Sequence, residues 1–233
     1  MAGGGGLIQL PSLLVAMPER PVIEILGTNK FASVFGTANA ALRYRKAVTI
    51  KTKFLAAISI PAFFGSMSGA LLASKLPTDF LRIFVFVALI AIAIYTYAKP
   101  DLGQIENLRH SHRHQLLIGA GAGFLIGFYD GIFGPGTGTF LMAILIAVLG
   151  FTFLTASAIA KFTNVATNLA ALIVFASTGV ILWQIGIAMA IAGVIGSTLG
   201  TKLALRGGSP LIRKVFLFAT IALIAKVGFD LVN

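Results

Sequence analysis

Residues 162–201, FTNVATNLAALIVFASTGVILWQIGIAMAIAGVIGSTLGT, form a run of 40 positions without a charged side chain. The run is interrupted only by the polar turn Ser177-Thr178-Gly179. A helix needs about 20 predominantly apolar residues to cross about 30 Å of hydrocarbon. This stretch therefore predicts two consecutive membrane-spanning helices that meet at the turn.

The rest of the chain has the same character. Of its 233 residues, 58% are hydrophobic and 11% are charged, and the mean hydropathy is +0.96. Residues 54–73 and 131–160 also lack charged side chains. A soluble helical domain would need polar faces at helical spacing, and these runs have none. The fold class predicted is an all-α integral membrane protein.

Residue types that are rare in such a chain recur at one fixed offset. The distance is 131 positions in every case, as from Lys30 to Lys161. The recurring residues are Lys30-Phe31 with Lys161-Phe162, Gly65-Ser66 with Gly196-Ser197, Gly69 with Gly200, and Arg82 with Arg213. Two copies of one unit, each rich in apolar runs, are typical of membrane transporters.

Each copy contains three apolar runs of spanning length. The predicted spans are 26–45, 48–74 and 78–98 in the first copy, and 155–177, 180–205 and 211–231 in the second. The predicted organisation is a first repeat at 1–98, a linker at 99–115 and a second repeat at 116–233.

The formal charge of +11 comes mainly from basic residues in the short loops between the apolar runs. This position indicates a role in orienting the protein in the bilayer and not a nucleic-acid partner. The first loop of the first repeat is basic, whereas its counterpart in the second repeat, Ser177-Thr178-Gly179, carries no charge; the basic residues are Arg43, Arg45, Lys46, Lys51 and Lys53. The next loop shows the opposite bias. In the first repeat Lys75 and Arg82 are offset by Asp79, and in the second the loop carries Lys202, Arg206, Arg213 and Lys214. Because Lys and Arg accumulate on the cytoplasmic side, we expect inverted repeats and a cytoplasmic linker.

Inversion requires residues 116–151 to begin and end on the same side, so we expect a hairpin of two half-helices. Its turn would be Gly134-Pro135-Gly136-Thr137-Gly138. Before this turn, the glycines spaced by four would line one helix face for close helix contact; they are Gly119, Gly123, Gly127 and Gly131. At the offset of 131, Met1 aligns near Ile132, and the first repeat therefore lacks the first limb of this hairpin. We expect either a start further upstream or a truncated variant.

Two kinds of residue are candidates for binding a small anion. A half-helix that begins inside the membrane presents free N–H groups and a positive dipole end, and the glycines that would frame such ends are Gly4, Gly5, Gly6, Gly134, Gly136 and Gly138. The other candidates are cations with nearby polar side chains, namely Lys30 with Thr28 and Asn29, and Lys161 with Asn164 and Asn168. Each lysine could instead extend its ammonium to the membrane surface from a helix end.

Asp130 is an intramembrane carboxylate and therefore a functional candidate. It could carry a coupling proton, pair with Lys161, or form a purely structural ion pair. His110, His112 and His114 alternate in the linker, where they could bind a metal or belong to a solvated loop. No fourth ligand is evident, so we expect neither a metal nor another cofactor.

These motifs together resemble the sulfite exporter TauE/SafE family. The resemblance rests on residues 127–138 (GFYDGIFGPGTG), Lys161-Phe162-Thr163-Asn164 with Asn168, Gly27-Thr28-Asn29-Lys30 with Gly36-Thr37, and Gly3–Gly6 with Pro11. It covers nearly the whole chain and implies a multi-pass permease of the bacterial inner membrane that exports sulfite or related organosulfur anions.

The expected function is therefore secondary transport of a small anion by rocking of one repeat against the other. The anion would lie near the membrane midplane between the repeats, in one pocket formed by the glycine N–H groups, Lys30, Lys161 and the amides. The partners would be the anion, the lipid bilayer and a possible coupling proton, with the oligomeric state left open. An enzyme would need a convergent nucleophile or metal set, and the chain has no cysteine and no histidine inside a predicted span. A passive anion channel or a non-transporting scaffold are the remaining alternatives.

Overall fold

The computed structural model describes residues 6–77 and 108–206, and within these ranges every regular element is an α-helix. The helices are α1 (Gly6–Ala16), α2 (Val22–Arg45), α3 (Thr52–Ala73), α4 (His112–Ile132), α5 (Thr137–Ala147), α6 (Phe153–Ser177) and α7 (Trp183–Leu205). The predicted spans at 78–98 and 211–231 lie outside the described residues, as do Gly4 and Gly5.

Four of these helices, α3, α4, α6 and α7, are long and apolar enough to cross a membrane. The structure thus confirms an all-α integral membrane protein. Helix α2 has the necessary length but carries several buried polar side chains, among them Asn29, Lys30 and Thr37. It packs against α1, α6 and α7, so protein rather than lipid surrounds these polar groups, as membrane proteins require.

The offset of 131 extends to the helix boundaries. Helices α1, α2 and α3 begin at residues 6, 22 and 52, and α5, α6 and α7 begin at residues 137, 153 and 183. The helix ends follow the same offset to within one residue. A duplication inferred from a few Lys, Arg and Gly residues therefore corresponds to two sets of three helices.

Helices α2 and α6, which are equivalent in the two sets, lie side by side and antiparallel. Near the start of α2, a side chain at Gly27 would meet Phe175 near the end of α6. Further along, Asn168 Nδ2 is 3.5 Å from Thr37 Oγ1. This antiparallel relation is the one that inverted repeats require, and the orientation of each repeat in a bilayer stays a prediction.

Basic side chains collect at one end of the bundle. Helices α2 and α7 run parallel, since Gly186 lies against Phe31 and Asn39 Nδ2 donates to Ser197 Oγ at 2.7 Å. Their ends therefore lie beside the starts of α3 and α4, where Phe54 packs on Phe151. Among the described residues, this basic end carries Arg43, Arg45, Lys46, Lys51, Lys53, Arg109, Arg113, Lys202 and Arg206, whereas the opposite end carries Arg20 and Lys75.

Helices α4 and α5 form the expected hairpin, with one correction. The backbone N–H of Arg109, just before α4, donates to Leu149 O, just after α5, at 3.0 Å, so the segment does begin and end at the same place. Helix α5 is short, with 11 residues, but α4 has 21. The expectation of two half-helices is therefore wrong for the first limb, because the helix continues back to His112, inside the predicted linker.

Helix α4 packs on α3 with almost no side chains between the two backbones. A Cβ atom at Gly123 or Gly127 would collide with the carbonyl oxygen of Ile58 or Ala62, respectively. On α3, a Cβ at Gly65 would likewise collide with the carbonyl oxygen of Phe124. Small residues spaced by four allow such close approach in membranes, which confirms that the glycines of α4 form a helix-packing face.

We expect Gly127→Ala to destabilise the protein and Gly121→Ala to leave it unchanged. The added methyl group of the first variant meets the backbone of Ala62, which cannot move aside, whereas no heavy atom lies within 4 Å of the corresponding position at Gly121. Overpacking of this kind costs about 1–3 kcal/mol. Thermal unfolding of both variants in detergent measures the difference, and equal midpoints would refute the close packing of α3 on α4.

Candidate functional site

Lys30 and Asp130 form a buried ion pair that joins the two repeats. Lys30 lies in α2 and is 1% exposed, and Asp130 lies in the last turn of α4 and is 3% exposed. Lys30 Nζ is 2.8 Å from Asp130 Oδ2. Asp130 was expected to carry a proton, to pair with Lys161 or to form a structural ion pair. In the structure its partner is Lys30 and not Lys161.

The Asp130 carboxylate also contacts the start of α5. Thr137 Oγ1, on the first residue of that helix, donates to Asp130 Oδ1 at 2.6 Å. A negative charge at this position is favoured by the helix dipole. Gly134 makes room for the pair, because its φ is +93° and a Cβ there would lie 2.8 Å from Lys30 Nζ. Gly136, which precedes α5, is also left-handed, with φ +79°.

Two residues of this cluster were missed in the sequence. Besides Thr137, Tyr129 contributes by donating its hydroxyl hydrogen to Pro135 O at 2.6 Å, which fixes the turn between α4 and α5. Both residues lie within the recognised Gly-rich string. Knowing where α5 begins would have singled out Thr137 as a residue whose side chain can reach back to the preceding helix.

Lys161, the repeat equivalent of Lys30, has a different environment. It is 6% exposed, yet no carboxylate among the described residues lies within 4.0 Å of its ammonium group. The described carboxylates are Glu19, Glu24 and Asp130, of which Glu24 pairs with Arg20 and Asp130 with Lys30. One turn from Lys161, Asn164 is 2% exposed and its Oδ1 has no hydrogen-bond partner in the described structure.

A continuous row of buried polar side chains follows the contact between α2 and α6. It consists of Lys30, Ser33 and Thr37 on α2 and of their equivalents Lys161, Asn164 and Asn168 on α6. The two halves of this polar seam meet where Asn168 Nδ2 approaches Thr37 Oγ1. Ser33 and Thr37 were not among the expected site residues, although the offset of 131 from the two asparagines would have found them.

The two lysines lie at opposite ends of the polar seam rather than in one pocket. Since Tyr44 of α2 hydrogen-bonds Ser157 of α6 and Thr37 faces Asn168, Lys161 is level with residues 40–44 of α2. At 1.5 Å per residue this is about 15–20 Å from Lys30 along the helix pair. Lys161 therefore lies towards the basic end, and Lys30 towards the opposite end.

Of the remaining expected residues, Thr28 makes contacts between helices, whereas Asn29 has a side-chain oxygen without a partner among the described residues. Thr28 Oγ1 donates to Glu24 O at 2.7 Å and accepts the Leu182 N–H at 3.0 Å, so it ties α2 to the start of α7. Asn29 is 2% exposed and its Oδ1 has no partner among the described residues. Gly6 is the first residue of α1, and Gly138 is the second residue of α5.

The three linker histidines lie on the surface. His110, His112 and His114 are exposed, and His114 Nδ1 is 2.8 Å from Ser111 Oγ. Within residues 6–77 and 108–206, no three side chains of the types that bind metals converge.

Comparison with known proteins finds relatives that match nearly the full chain. A protein from Sinorhizobium sp is 36% identical over 230 residues, which cover 99% of this chain and 87% of the relative. A Haemophilus influenzae protein is 34% identical, covering 99% and 89%, and Escherichia coli K12 YfcA is 33% identical, covering 99% and 84%. Each of the three is named "Probable membrane transporter protein". No solved structure matches the chain.

The family model described as "Sulfite exporter TauE/SafE" matches residues 1–227. This match spans both sets of helices, the Gly134–Gly138 turn and both buried lysines. The chain is therefore a membrane protein of the sulfite exporter TauE/SafE family, and the curated relatives named above carry the name of probable membrane transporters.

Proposed function

We propose that this protein is a secondary transporter of a small anion and that Lys161 is the residue that receives the anion. The observation that carries the proposal is the burial of Lys161, which is 6% exposed, without a carboxylate within 4.0 Å in the described ranges. A buried, unpaired charge costs several kcal/mol. A mobile anion beside Lys161 would offset this cost.

The neighbouring side chains suit an oxyanion. Asn164 and Asn168 lie three and seven residues after Lys161, on the same face of α6, and their amide groups can donate to anionic oxygens. The family description supports sulfite, or a related organosulfur anion, as the substrate. The names of the curated relatives specify transport and no substrate.

The distribution of charge supports export across a bacterial inner membrane. By the positive-inside rule, the basic end of the bundle would face the cytoplasm. Lys161 would then lie in the cytoplasmic half and the Lys30–Asp130 pair in the outer half. A membrane potential that is negative inside favours outward movement of an anion, by about 2.3 kcal/mol per charge at 100 mV.

Alternating access would require the two ends of the polar seam to open in turn. Coupling to a proton through Asp130 belongs to this proposal. A passive channel with the same seam would carry anions down their electrochemical gradient without counter-transport or proton dependence. Counterflow separates a carrier from such a channel: with the membrane potential clamped to zero, vesicles loaded with unlabelled anion accumulate external labelled anion transiently above its equilibrium level through a carrier and not through a channel.

We expect Lys161→Met to reduce anion transport at least tenfold, because it removes the charge that receives the substrate. Sulfite, sulfate, thiosulfate and sulfonate fluxes into proteoliposomes measure the effect. Lys75→Met is the matched control, since Lys75 is exposed and its loss should leave the flux unchanged. Equal flux for Lys161→Met and the control would rule out Lys161 as the binding residue.

The two lysines should also differ in their effect on stability. Lys30→Met leaves the Asp130 carboxylate buried without its cation, which should cost about 3–5 kcal/mol. The double variant Lys30→Met/Asp130→Leu should recover most of this loss, and Lys161→Met should cost little because it removes an unpaired charge. Thermal unfolding in detergent, without added anion, compares the three. A loss at Lys161 as large as at Lys30 would indicate that Lys161 has a counter-ion.

A further inference from the structure

We propose that Asp130 occupies a second anion-binding station as a built-in substitute for the transported anion. This station consists of Lys30 Nζ, Thr137 Oγ1 and the first turn of α5. The inference rests on the proposed function, because it identifies the second place at which the same anion would bind.

The donors around Asp130 are those that an oxyanion would need. Its two oxygens are held at 2.8 Å by the Lys30 ammonium and at 2.6 Å by the Thr137 hydroxyl, at the start of an 11-residue helix.

Lys161, the residue equivalent to Lys30 in the second repeat, differs from it in having no carboxylate neighbour among the described residues. One end of the polar seam is thus open to an external anion, and the other is filled by an anion of the chain itself. An anion that travels along the seam must replace Asp130 beside Lys30.

Charge balance links this replacement to a proton. If the anion and the ionised carboxylate shared Lys30, the station would hold one net negative charge in a medium of low polarity, which is strongly unfavourable. If Asp130 takes up a proton, Lys30 and the anion form a neutral pair. The station therefore takes up one anion together with one proton.

No other charged group in the described structure interferes with this exchange. Lys30, from α2, is the cation that faces Asp130. Helix α5 contributes the uncharged Thr137, and α3 and α6 bring no cation within 4.0 Å of the carboxylate among the described residues. Tyr129, the neighbour of Asp130 on α4, has its hydroxyl engaged by Pro135 O.

The test is the number of methanesulfonate ions bound per chain, measured by equilibrium dialysis of the detergent-solubilised full chain with labelled anion. Methanesulfonate stays ionised over the whole working pH range, so any pH effect belongs to the protein. Asp130→Asn keeps the shape of the side chain and frees Lys30, and should bind one more anion than the wild type at about pH 8. Lys30→Met/Asp130→Asn should return to the wild-type number. An unchanged number in Asp130→Asn overturns the proposal.

The wild type offers a second measurement that does not depend on folding of a variant. At saturating methanesulfonate in lightly buffered solution, binding at Lys30 should be accompanied by uptake of one proton per chain, and this uptake should be absent in the double variant. Binding of the second anion without proton uptake overturns the proposal. Lys161→Met tests the proposed function separately: if it binds as many anions as the wild type, Lys161 is not a binding residue, whatever the result at Asp130.

Discussion

The structure depends on the cost of placing an ammonium group where neither water nor lipid headgroups can reach it. Lys30 is paired with a carboxylate from α4, beside a glycine at position 134 whose Cβ would crowd the ammonium and a hydroxyl at position 137 that donates to the carboxylate. The Gly-rich turn and the start of α5 thus surround one ion pair. Lys161, with the same position in its repeat, has no such arrangement among the described residues.

This difference between equivalent positions is informative because the surrounding scaffold is so regular. Helix starts repeat at one offset, α2 and α6 run antiparallel, and the polar seam uses equivalent residues from both. Within the described residues, this regular frame carries one lysine paired with a carboxylate and one without, so the two ends of the polar seam differ in charge.

Much of the fold followed from the sequence because membrane spans are long and their composition is extreme. The helices α2, α3, α6 and α7 were expected to within a few residues of their bounds, and the glycine spacing predicted the contact face of α4. The length of α4 was not predicted. His112 and Arg113 were assigned to the polar linker, although a membrane-spanning helix can continue into the polar region at the membrane surface. The Lys30–Asp130 pair could not be found in this way, because a fixed offset relates equivalent residues and contains no information on which residues of different repeats meet. The same limitation led to the expectation of one pocket with two lysines, which antiparallel helices separate.

The glycine contacts between α3 and α4 have a consequence for how the molecule can move. Helix α3 lies before the predicted linker and α4 mostly after it, yet their backbones approach closely at Gly65, Gly123 and Gly127. Close-packed surfaces of this kind transmit strain. A conformational cycle that preserved these contacts would carry α3 and α4 together, across the boundary between the two predicted repeats.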